Sequence, residues 1–134
     1  MANATALTVH SAVRNASAAI TADLVTNGTV ALTLAADLAS AGGQADRVIL
    51  RVENDNTVAT QTLSVSVLGS TTMPSHYGTV AAATAAGLAT AGVAVLGPFD
   101  PARFDNNGTL QVTFTPATSG TLKFNASLVL LPKF

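Results

Sequence analysis

The 134-residue chain has no cysteine, no tryptophan and a single tyrosine, and only 10% of its residues are charged. Without cysteine there can be no disulfide, thiolate nucleophile or zinc–thiolate site. Six Lys and Arg against seven Asp and Glu leave a net charge of −1. That gives no basic excess to meet a phosphate backbone, so nucleic-acid binding is not expected. Aromatics at 4% leave little material for stacking on sugars or bases. No apolar run reaches the roughly 18 residues that would make a membrane-spanning helix. Nor is the chain disordered in composition, since 49% of it is hydrophobic and its charge is low.

What is present is unusual in its narrowness. Ala occurs 26 times and Thr 19, so 45 of 134 positions carry one of the two. The length suits one domain with one core. Its dominant period is two. Val30, Leu32 and Leu34 alternate with Ala31, Thr33 and Ala35, and Val48, Leu50 and Val52 alternate with Ile49, Arg51 and Glu53. Leu63, Val65 and Val67 alternate with Thr62, Ser64 and Ser66, and Leu110, Val112 and Phe114 with Gln111, Thr113 and Thr115. Leu122, Phe124, Ala126, Leu128 and Leu130 form a last row opposite Thr121, Lys123, Asn125 and Ser127. Strand side chains point alternately to opposite faces, so each segment has one apolar and one small or polar face.

This pattern predicts an all-β, single-domain antiparallel β-sandwich, jelly-roll-like, with a poorly periodic N-terminal arm. Residues 1–19 are expected as that arm or a first edge strand, and 20–134 as the sandwich. Asn27-Gly28 and Asn107-Gly108 read as turn dipeptides, because both residue types tolerate positive φ. Gly97-Pro98 and Pro101 bracket a tight connection after a strand at Val93–Leu96. Ala6–His10 and Ala18–Asp23 are weaker candidate strands. The Ala-, Thr- and Gly-rich stretch Thr79–Gly92 fits a short helix or a loop plus strand, the second preferred because Gly87 disfavours helix.

Catalytic chemistry finds no foothold. His10 and His76 have no G-x-S-x-G elbow and no legible base–orienter arrangement. The seven acids lack the aromatic lining of a sugar cleft. Asp105-Asn106-Asn107-Gly108 opens like a calcium loop but lacks the later Glu, so a turn is preferred. The expectation is a non-enzymatic protein with no catalytic residue, no metal and no cofactor. Asn3, Asn15, Asn27, Asn107 and Asn125 stand in glycosylation sequons. Met1–Thr5 shows neither the basic segment nor the apolar stretch of a signal peptide, so these sequons are expected to carry nothing.

The polar halves of the strands are more informative. A free-standing sandwich charges its outer faces, which also guards its edges. Here those positions are Thr, Ser, Ala, Asn and Gln, interrupted by Ile49, Val129 and Leu131. Small uncharged surfaces suit protein–protein packing. The chain therefore reads as an assembly subunit. Among four arginines, Arg51 lies mid-strand near Glu53, and Arg103 sits between Asp100 and Asp105, so each has an intrachain carboxylate or a partner's to pair with. His76 and Tyr77 meet in Pro74–Gly78, where an interface role outweighs a catalytic one.

The strings Arg47-Val48-Ile49-Leu50-Arg51-Val52-Glu53-Asn54 and Gly97-Pro98-Phe99-Asp100-Pro101-Ala102-Arg103-Phe104 are followed by Asn107-Gly108-Thr109-Leu110-Gln111-Val112-Thr113-Phe114 and Ser119-Gly120-Thr121-Leu122. Over about residues 47–132 this resembles the small head decoration (cement) proteins of tailed bacteriophages. The resemblance implies a virion protein on the outer capsid surface, with the major capsid protein and copies of itself, as a homotrimer, for partners. Arg51, Pro98, Phe99, Asp100, Arg103, Phe104, His76 and Tyr77 are its candidate interface residues. Another virion component (tail, neck or fibre module) and a carbohydrate-binding sandwich using Tyr77 with Phe99 or Phe104 are the alternatives.

Overall fold

The computed structural model describes residues 4–12, 20–28, 30–38, 47–70, 82–99, 101–104, 106, 108–118 and 122–132. The elements are β1 (Val9–Ser11), β2 (Asp23–Gly28), β3 (Leu32–Asp37), β4 (Val48–Asn54), β5 (Leu63–Val67), β6 (Ala83–Leu88), β7 (Val93–Leu96), one helical turn α1 (Pro101–Phe104), β8 (Thr109–Pro116) and β9 (Leu122–Leu130). The chain is an all-β protein of two sheets. One runs β3-β8-β5-β6. The other runs β9-β4-β7, with β1 and β2 both pairing the far side of β9.

The alternation that predicts the strands also sets their inward faces. Val48, Leu50 and Val52 of β4 are fully buried, as are Val65 and Val67 of β5 and Leu110, Val112 and Phe114 of β8. In β9, Leu122, Phe124, Ala126, Leu128 and Leu130 all point into the core. The sheets are joined at the centre by Phe114 of β8 stacked on Phe124 of β9, with ring centroids 3.9 Å apart and planes 13° from parallel. At ~25 cal/mol per Å² of apolar surface removed from water, two fully buried phenyl rings are the largest single contribution to this core.

Most connections pass from one sheet to the other. Among the described residues, the only sequential strands that are hydrogen-bonded neighbours are β5 and β6. This changes the reading of two dipeptides. Asn27-Gly28 does not close a hairpin: it ends β2 in one sheet, and the chain crosses to β3 in the other. Glycine is required there by crowding, because a Cβ on Gly28 would lie 2.8 Å from the Leu122 Cβ of its cross-strand partner. Near Asn107-Gly108 the turn is present, with Asn106 bridged to Thr109 and Gly108 at φ 83°. It follows α1 rather than a strand, so it starts β8 without forming a two-stranded hairpin. Asn107 itself lies outside the described residues.

The weak candidates shift in register. Instead of Ala6–His10 the strand is Val9–Ser11, and of the candidate Ala18–Asp23 the first two residues lie outside the described ones while strand begins at Asp23 and runs to Gly28. Val25 reaches the core opposite Phe124, and Asp23 instead accepts the Thr8 amide through its carboxylate at 2.8 Å. β1 runs parallel to β9, the one exception to antiparallel pairing among these strands. The segment before it also touches the other sheet, through a bridge between Leu7 and Ala36. Within Thr79–Gly92, the described part is strand β6 followed by a turn at Ala89–Gly92.

Candidate interaction surface

β7 ends at Leu96, and Gly97 then takes φ 108° before a cis bond to Pro98. A side chain at Gly97 would sit 2.7 Å from the Val48 carbonyl oxygen and 3.0 Å from the Phe99 ring. Positive φ and this close approach both demand glycine. The sharp change of direction turns Phe99 inward. It is 2% exposed and meets Phe104 edge-on, centroids 5.5 Å apart at 64°. Phe99 is therefore a core residue rather than a surface contact, and Phe104 is half-buried against the same core. Among the described residues of this loop, Gly97, Pro98 and Arg103 are exposed. The Arg103 carbonyl accepts the Ser70 amide, tying the loop to the end of β5. Asp100, His76 and Tyr77, and the acids proposed to pair with Arg103, lie outside the described residues.

Arg51 stands on the outer side of β4 and donates to Glu53 at 3.3 Å. Its intrachain partner is thus two residues away on the same strand face, in a pair open to solvent. Among the described residues no group of three or more His, Cys, Asp or Glu is placed to hold a metal.

The two outer sheet faces differ in chemistry. On the β3-β8-β5-β6 sheet, the register sets Thr33, Thr113, Ser66 and Thr84 in one row across all four strands. Thr33 and Thr113 hydroxyls are 2.8 Å apart, and Ser66 and Thr84 hydroxyls 3.1 Å. The next row holds Thr115 and Ser64, and the Ser64 hydroxyl accepts the Gly87 amide at 3.2 Å. Among the described residues of these four strands, Asp37, at the end of β3, is the charged one on this face.

On the other sheet one outer row is Val95–Arg51–Ser127, and another is Val93–Glu53–Asn125–Leu24. Ile49, Val129 and His10 form a third. Val95 is 64% exposed and Val93 45%. This face is mixed: exposed valines at its β7 edge give way to the Arg51–Glu53 pair and then to Asn125, Ser127 and His10 among Ile49, Val129 and Leu24.

A further polar link is internal. Asn54, fully buried at the end of β4, donates to the Gln61 and Leu88 carbonyls at 3.0 and 2.9 Å and accepts the Asn56 amide at 3.1 Å. It stitches the two sheets together where β6 turns into β7. Sequence reasoning missed Asn54, naming it only as the last residue of the Arg47–Asn54 string. It also missed the hydroxyl row, whose members come from four separate segments and meet only through pairing.

No protein-family model, no curated protein and no solved structure matches this chain.

Proposed function

We propose that this chain is a non-enzymatic structural protein of a virion that binds the outer surface of an icosahedral capsid and stabilises the shell. The observation that carries this reading is the hydroxyl-lined outer face of the β3-β8-β5-β6 sheet. Covering a polar face is costly when its groups lose water without finding partners. Here Thr33 pairs with Thr113, Ser66 with Thr84, and Ser64 with the Gly87 amide. These hydroxyls keep a hydrogen bond when a neighbour excludes solvent, and no charge in the row must be desolvated. Such a face suits a broad, flat protein partner better than a small ligand. The resemblance at Gly97–Phe104 supplies the identity of that partner as a capsid lattice.

The mechanism is linkage. A protein that binds the assembled lattice but not its free subunits stabilises the lattice by its binding free energy. Copies that each touch more than one subunit act as multivalent staples. No covalent step is involved.

The test is the copy number of the chain in purified virions, by quantitative mass spectrometry against the shell subunit. A ratio of the same order as the shell subunit is expected. A number confined to a single ring of a neck or tail, or absence from the particle, would overturn the assignment.

A further inference from the structure

Four strand edges end the two sheets, and they are not protected alike. The β3 edge carries Asp37 and is bridged by Leu7 at Ala36. The β6 edge is broken by a register shift opposite Leu63–Val65. On the far side of β9, the edge is split between three-residue β1 and β2, with the Asp23 carboxylate holding the Thr8 backbone. Charges, bulges and covering segments of these kinds keep exposed edges from pairing. Among the described residues β7 has none of them: Val93-Ala94-Val95-Leu96 is uncharged, unbulged in its register with β4, and pairs only with β4.

Hydrogen-bond parity shows which groups this edge offers. The Asn54 amide donates to the Gly92 carbonyl at 3.0 Å, which fixes the bonded positions between β4 and β7. Bonded pairs alternate along an antiparallel ladder. Ala94 and Leu96 therefore turn their backbone groups towards β4, while Val93 and Val95 turn theirs to the open edge.

We infer that β7 pairs antiparallel with β7 of a second copy about a two-fold axis through Ala94. Only partners pointing to the same sheet face can stand opposite one another, so the axis must pass through a residue and not between two. With the axis at Ala94, Val93 faces Val95 of the other copy twice over. All four open-edge N–H and C=O pairs of the two strands are then used, and the four exposed valines form one apolar cluster. Ala94 faces itself at the close, non-bonded position, where a small side chain fits. Charge agrees with the pairing. Because Arg51 neighbours Val95 and Glu53 neighbours Val93, each joined row reads Arg51, Val95, then the second copy's Val93 and Glu53. Opposite signs close the two ends of each row, and no like charges meet at the seam.

This goes beyond the capsid reading and stands independently of it. It also replaces the threefold self-association that the resemblance implies with a two-fold contact. The experiment is light scattering on the purified protein over a concentration series, with deuterium exchange at each end of the series. The expected mass at high concentration is that of two chains. Val93 and Val95 amides should become protected as the dimer forms, while Ala94 and Leu96 amides are protected throughout. Val95→Lys should give the mass of one chain and melt as the unsubstituted protein does at concentrations where it is dissociated, and Val30→Lys, at an equally exposed site (63%), should remain a dimer. A mass of one or three chains for the unsubstituted protein overturns the proposal. So does a dimer that Val95→Lys leaves intact, or one in which the Val93 and Val95 amides exchange at the monomer's rate.

Discussion

The two sheets share one core and one alternation, yet their outer faces are built from different chemistry. Across β3, β8, β5 and β6 the outward positions are hydroxyls bonded to each other, as in the row Thr33, Thr113, Ser66 and Thr84. Across β7, β4 and β9 they are mixed, with Val95, Val93, Ile49 and Val129 around the Arg51–Glu53 pair and Asn125 and Ser127 beyond it. Low charge alone does not distinguish these faces. What separates them is how each can be covered: the first with its polar groups already partnered, the second by apolar contact along an unguarded edge. A charge-poor composition can thus encode two different interfaces.

Substitutions in what the sheets share should remove both faces together. Phe124→Ala leaves a cavity beneath Phe114 and should cost about 3–5 kcal/mol of stability, read by denaturant unfolding. Loss of much less would mean that the sheets are not held by this stack. Asn54→Ala should cost about 2–3 kcal/mol, since it removes three hydrogen bonds and strands the Gln61 and Leu88 carbonyls. Its effect should concentrate at the β6–β7 turn, where faster amide exchange at Ala91 and Gly92 is the measurement.

The faces themselves should separate function from stability. Thr113→Lys places a charge in the middle of the hydroxyl row. It should change stability by within about 1 kcal/mol in thermal melting, while weakening attachment to a shell at least tenfold. Equal attachment would move the shell contact off this face. Arg51→Ala should have the smallest effect, below about 0.5 kcal/mol and shrinking further in high salt, because the ion pair is exposed. A larger, salt-insensitive loss would show the pair to be part of the fold rather than of the surface.

Much of the fold is legible in the sequence because strand parity is a local property. The rows Val48, Leu50, Val52 and Leu122 to Leu130 are apolar at every second residue, and all of them face the core. Pairing is not local, and it is where the sequence reading falls short. Nothing in the residues around Val9 says that β1 runs parallel to β9. Asn27-Gly28 has the composition of a hairpin turn, but crowding against Leu122 requires that glycine just as strictly. β6 was hard to read because Ala and Gly carry little strand preference, and its conformation is set by β5 beside it. The candidate surface was legible in kind but not in place. The scarcity of charge is visible in any strand, whereas the row joining Thr33 to Thr84 exists only through three registers. Phe99 stands among the interface candidates through the resemblance alone, whereas Gly97 and the turn after it carry its ring into the core.

The most direct test of the central claim is co-sedimentation of the purified protein with intact capsid shells stripped of it. The account predicts saturable pelleting at micromolar protein, which Thr113→Lys abolishes and Val30→Lys does not. Protein that stays in the supernatant with such shells at every concentration would contradict it.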